Sequence, residues 1–153
     1  MAIFMQLRLA GDLVRGNVTE TNHTDWIECQ SLSWGMGLEN RQAALPHISE
    51  VTITKYLDES SPVLFNKAVT RGTGTCKIHL TKAGEGAEVI MEYELENCVI
   101  LKFSQNSDSE KRDESVSLGF GTITMSFTGF DERSRRRPSI SASYSLDDGQ
   151  RRR

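Results

Sequence analysis

Apolar side chains return at every second position in segment after segment of this 153-residue chain. That spacing puts them on one side of an extended strand and is wrong for the stripe of an amphipathic helix. Ile3, Met5, Leu7 and Leu9 open the pattern. Over 25–35, Trp26, Leu32 and Trp34 share one parity while Glu28 and Gln30 break that face, which predicts a long strand bent midway. Two more β-rich runs cover 51–57 and 73–82, the second alternating Cys76, Ile78 and Leu80 with Lys77, His79 and Thr81. Val89, Met91, Tyr93 and Leu95 continue on the same parity into Val99, Leu101 and Phe103. The glycines of Lys82-Ala83-Gly84-Glu85-Gly86-Ala87 suit a hairpin loop between these two runs, so a meander is the simplest arrangement. The polar stretch 104–114 reads as a surface loop. After it, Val116, Leu118 and Phe120 give way to Ile123, Met125 and Phe127, and the change of parity near Gly119 and Gly121 predicts a β-bulge.

One segment has helical grammar instead. Ser61 is placed to cap, Pro62 suits the first helical position, and Gly72 stands where a C-terminal glycine belongs. Leu64, Phe65, Ala68 and Val69 would form the buried stripe of a helix over about 61–71. Many strands with a single helix predict a mainly β fold, a compact β-barrel of two packed sheets flanked by one helix, because each one-sided apolar face needs another to cover it. The expected domain runs over 1–130. In the tail, 131–153, Ile140, Ala142, Tyr144 and Leu146 alternate with serines, which suggests one further edge strand.

Charge narrows the range of functions. The tail holds seven arginines against four acidic residues, +3, which leaves −6 of the chain's net −3 on residues 1–130. An acidic body lacks the clustered Lys and Arg that draw proteins to phosphate backbones, so no nucleic-acid partner is expected. Cys29, Cys76 and Cys98 are widely spaced, without a Cys-x-x-Cys pair, and read as free thiols. No apolar run approaches the length of a membrane span, and the first residues lack a basic segment followed by an uninterrupted apolar one; neither membrane insertion nor a signal peptide is expected.

Two segments carry a more specific signal: His23-Thr-Asp-Trp-Ile-Glu-Cys-Gln-Ser-Leu-Ser-Trp-Gly-Met36 and Ile53-Thr-Lys-Tyr-Leu-Asp-Glu-Ser-Ser-Pro-Val-Leu64. With the Lys82-Ala83-Gly84 hairpin and the order of the parts through about Phe130, they resemble the haemolysin-coregulated protein (Hcp) family of type VI secretion. The resemblance implies a compact β-barrel with one flanking helix that assembles into hexameric rings. These rings stack as the inner tube of the apparatus and meet its spike and sheath proteins. They are built in the cytoplasm, exported without a signal peptide, and some hold secreted effector proteins in the lumen. It also implies a structural role, not an enzymatic one, and no cofactor. By carry-over, the extended loop over 35–49, with Glu39, Arg41 and His47, would take part in ring stacking. The charged stretch with Asp108, Glu110 and Lys111 stands where relatives carry a lumen-facing loop. The stretch from Arg133 to Pro138 and the closing Arg151-Arg152-Arg153 match no feature of the family.

Other readings of these residues are weaker. His23, His47 and His79 lack metalloprotease spacing, and a zinc site would need three or four converging ligands. No Gly-x-Ser-x-Gly pentapeptide supports a hydrolase, leaving His23 with Asp25 as the remaining catalytic pair to consider. Arg71-Gly-Thr-Gly-Thr lacks the lysine of a phosphate loop and leads from a helix into a strand, the reverse of that motif. A monomeric barrel binding a small ligand or an oligonucleotide is the alternative to the tube; Trp26, Trp34 and Tyr56 could stack bases or sugars, but aromatic residues on strands more often belong to the core.

Overall fold

The computed structural model describes residues 1–82, 88–130, 133, 135–146 and 150–152. The alternating segments become β1 (Ala2–Leu9), β2 (Asp12–Val14), β3 (Ile27–Cys29), β4 (Ser31–Ser33), β5 (Met36–Gly37), β6 (His47–Ile48) and β7 (Val51–Tyr56). After α1 (Ser61–Val69) come β8 (Thr73–Thr81), β9 (Val89–Ser107), β10 (Arg112–Gly119), β11 (Thr122–Phe127), β12 (Ile140–Ser145) and β13 (Gln150–Arg152). A 3₁₀ turn over Thr21–His23 links β2 to β3.

The mainly β class with one flanking helix is as expected, but the two sheets are unequal: one of 11 strands, and a two-stranded ribbon made of β5 and β6. The large sheet bends around the core along β3-β1-β8-β9-β10-β7-β4. Its ladder does not close. The consecutive strands β3 and β4 lie on β1 and on β7 respectively, and Gln30 between them donates its N–H to Thr54 O at 2.7 Å. The expected single bent strand over 25–35 is therefore two short strands with different partners. The inward parity changes between them: Ile27 and Cys29 of β3 enter the main core and Leu32 of β4 packs against it, whereas Trp26 turns away with Phe4 and Val18 into a second small cluster.

β9 is the 19-residue spine of the sheet. One edge carries β8, and the other carries first β11 and then β10. Its ladders skip Ile90, Asn97 and Leu101, three bulge positions where one residue is left unopposed. Asn97 takes a left-handed conformation, φ 54°, opposite the step from Gly74 to Thr75. A Cβ on Gly74 would lie 1.8 Å from the Arg8 carbonyl oxygen, so only glycine fits where β1 crowds β8. The bulge at Asn97 flips the parity expected for this strand: Cys98 and Ile100 are buried, while Leu101 is exposed. The bulge expected at Gly119 and Gly121 is not there. β10 simply ends, β11 begins after Gly121, and the register shift on β10 comes from Leu101 across the ladder. Most of 104–114 is hairpin, because β9 runs to Ser107 and β10 starts at Arg112.

α1 keeps Pro62 in its first turn, but the cap position is Ser60, and Ser61 is already helical. At the other end Arg71, not Gly72, takes the left-handed conformation, φ 59°. Arg71 N–H bonds Ala68 O and Gly72 N–H bonds Lys67 O, the paired bonds of a Schellman end. Of the expected stripe, Leu64 is fully buried and Ala68 packs on the core, but Phe65 and Val69 face outward. A nine-residue helix laid on β9 covers one narrow stripe only.

The tail adds β12 antiparallel to β11, from Thr122 opposite Ser145 to Phe127 opposite Ile140. β13 pairs beyond it, so β12 is not the edge strand. The Gly84 hairpin expected after Lys82 lies outside the described residues. All three cysteines are free and buried, and loss of hydration pushes the Cys29 and Cys98 thiols up to about 12 and raises that of Cys76.

Candidate functional site

The six residues singled out from sequence fall on two hairpins. Glu39 and Arg41 are exposed at the tip of the β5–β6 ribbon and His47 stands on β6. The ribbon is tied at its root by Gly35 N–H to Ser49 Oγ and Ser49 N–H to Gly35 O, both at 2.9 Å. Two cavities flank that root. One of about 650 Å³ is lined by His47, Trp34, Glu50 and Phe120, and an apolar one of about 510 Å³ by Met36, Pro46, Ile123 and Tyr144.

Asp108, Glu110 and Lys111 make the turn between β9 and β10. Asp108 Oδ1 accepts the N–H groups of Glu110 at 2.7 Å and Lys111 at 2.6 Å, and these bonds hold its carboxyl below the ordinary value. The carboxylate is thus committed to shaping the turn, and Glu110 and Lys111 carry the side chains free to meet a partner. A cavity of about 600 Å³ lies beside them, lined also by Gln30 and Tyr56.

Two buried polar groups lie apart from these six residues; His23 and His79 of one stand out in the sequence, whereas Lys55 and Glu114 of the other do not. Lys55 is fully buried, and its ammonium donates to Tyr56 O at 2.9 Å, to Asp58 Oδ1 at 2.9 Å and to Glu114 Oε1. All three of its donors are used. Glu114 Oε1 also accepts the Ser61 hydroxyl at 2.8 Å, and Oε2 accepts Gln105 Nε2 at 2.9 Å. Asp58 Oδ1 takes the Ser60 N–H at 2.8 Å, and Ser61 Oγ accepts the Asp58 N–H at 3.0 Å. The segment from Lys55 to Ser61 is in this way pinned to β10 and β9 at the point where the chain leaves β7 for α1. A signal was present: Lys55 follows Val51 and Ile53 on an inward parity, Glu114 precedes Val116 and Leu118 on another, and the two are direct partners in the ladder.

The second group runs Glu20, His23, His79, Glu92. His23 Nδ1 meets Glu20 Oε2, His23 Nε2 lies 2.8 Å from His79 Nδ1, and His79 Nε2 lies 2.6 Å from Glu92 Oε2. The hydrogen bond from His23 holds the Glu20 carboxyl below its usual value, and that from His79 does the same for Glu92. His79 sits between Phe4 on β1 and Glu92 on β9, and His23 reaches it from the 3₁₀ turn. Asp25 does not join this group. Its carboxylate lies 3.7 Å from Arg15, so the His23 and Asp25 pair considered for hydrolysis is not formed.

Large apolar side chains remain open on three parts of the surface: Phe65 and Val69 on α1, Met36, Leu38 and Leu45 on the ribbon, and Phe127 and Ile140 on β11 and β12. The fold and this surface define a small, helix-flanked β-sheet protein whose buried polar residues fasten its connections.

The chain belongs to the Hcp family of type VI secretion: residues 4–127 match the family described as "Type VI secretion system effector, Hcp". Solved structures share the fold at low identity. A type six secretion system protein is 18% identical over 99% of both chains with a TM-score of 0.86. Hcp1 from Salmonella typhimurium is 19% identical over 99% of both chains, TM-score 0.80. Hcp1 from the E. coli EAEC 042 pathovar is 17% identical over 95% of this chain and 99% of that one, TM-score 0.77. A comparison with curated protein sequences finds no significant match. Among the described residues no helix is long and apolar enough to cross a membrane.

Proposed function

We propose that six copies of this chain close into a ring, and that the rings stack as the inner tube of a type VI secretion apparatus and leave the cell with it. Family membership supports this reading. The observation that carries it further is the apolar surface a single copy leaves open on α1, on the ribbon and on β11 and β12. Such surface is buried at low cost when one patch meets a different patch on the next copy and the rotation closes the ring. The exposed ribbon, with Glu39, Arg41 and His47, is suited to reach a neighbouring ring. The β9–β10 turn, with Glu110 and Lys111 projecting, is suited to hold an effector protein in the lumen through weak polar contacts. Spike and sheath proteins would meet the tube at its ends and outer wall. The role is structural, with no bond made or broken.

Light scattering on the protein eluting from a size-exclusion column tests the ring. A mass of about 103 kDa, six times the 17.1 kDa chain, is expected. A stable species of one chain at high micromolar concentration would sink the proposal.

A further inference from the structure

Four side chains in the order Glu20, His23, His79, Glu92 are linked by three hydrogen-bonded gaps. Each gap requires one proton. Two protons would set donor against donor, and none would set lone pair against lone pair. Two neutral imidazoles bring only two ring protons, so with both carboxylates ionised the chain is one proton short unless one ring is an imidazolium. We infer that the folded protein holds this third proton, shared between His23 and His79, and that it makes the attachment of the 21–23 turn to β8 and β9 sensitive to pH in both directions.

The surroundings favour the cation independently of the proton count. The Phe4 ring centroid lies 4.7 Å from that of His23, and Trp26 lies 4.7 Å from His23 and 4.6 Å from His79. An imidazolium in this aromatic setting gains attraction that a neutral ring does not. His23 is only 1% exposed, and its two ring nitrogens face Glu20 and His79. The other charges facing the group are few. On β8 there is Lys77, which acts on Glu92, and on β9 there is Glu94, paired in register with Lys77. Glu88 and Arg136 line the cavity of about 380 Å³ beside the two histidines. β1 presents Phe4 at this row, and β11 presents Ser126 opposite Glu92, neither of them charged.

The direction of the response follows from counting. In acid the unfolded chain can place protons on both imidazoles and on both carboxylates, more than the three the intact group accepts, so stability falls as pH falls. In alkali the unfolded chain keeps two, fewer than three, so stability falls as pH rises. The fastening is strongest between those limits, and it fails by head-to-head donors on one side and facing lone pairs on the other.

Long-range proton–nitrogen NMR of the full chain with ¹⁵N-labelled histidine, near neutral pH, reads the ring protons directly. Three protonated nitrogens of the four on His23 and His79 are expected, with exposed His47 as the internal reference; two protonated nitrogens would overturn the inference. Melting temperature against pH for the wild type and for the His23→Gln, His79→Gln double variant gives the second readout. The wild type should show a maximum that the variant flattens, and identical curves would refute the pH sensitivity. If the variant does not fold, the nitrogen count on the wild type decides alone.

Discussion

The Lys55 group and the His23 group do the same structural work by different chemistry. Each fastens a connection to the sheet: one the passage from β7 into α1, the other the turn between β2 and β3. The first joins a lysine to two carboxylates, and its ammonium has no vacant donor. The second depends on a proton that the solvent can add or remove. An ammonium with all three donors engaged gives a fastening set by the placement of its partners. Imidazoles give one tuned to a window. Both groups are well satisfied, and among the described residues no buried side-chain nitrogen or oxygen lacks a hydrogen-bond partner.

The largest loss is expected for Glu114→Ala, which leaves the buried Lys55 ammonium without its ladder partner. A loss of about 3–5 kcal/mol is expected in urea unfolding. The Lys55→Met, Glu114→Gln double variant should lose less than the two single variants summed, by about 1–3 kcal/mol, because neither residue is then stranded; strict additivity would show that the pair is not coupled. His79→Gln should cost about 1–2 kcal/mol near neutral pH, read as a fall in melting temperature of roughly 5 °C.

The smallest effect is expected for Glu92→Gln, about 0.5 kcal/mol, since that carboxylate is one-third exposed and solvent screens the pair. Its sign with pH is fixed. The folded carboxyl lies below its ordinary value of 4.5, so its contribution is complete above that value and is lost as pH falls through the lower folded one. The gap between wild type and Glu92→Gln should therefore close in acid, and a gap that widened instead would contradict the hydrogen bond from His79.

The alternation in the sequence made the strands legible, because a one-sided strand writes its period into the chain. The bulges were not legible in the same way. Asn97 and Leu101 each shift the parity of β9, and hydrophobicity carries no mark of a residue left unopposed by a neighbouring strand. Asparagine is tolerant of left-handed conformations, so Asn97 offered a faint hint. The helix was read correctly in place and wrongly in its buried face. A stripe can be counted from sequence, but the width of the surface that receives it cannot. Lys55 and Glu114 were legible only as charges on inward parities, and their meeting depends on the register of β7 with β10, 59 positions apart.

β9 also sets how the molecule bears load. Its contour is about 60 Å long at the usual rise of a strand, and three other strands hang from its two edges. A pull along this strand is met in shear by rungs on both sides at once, whereas β13 pairs, among the described residues, only with β12 and at three positions. The molecule thus has a tough axis and a weak hem, and mechanical failure should begin at its carboxyl-terminal strands while the spine stays whole.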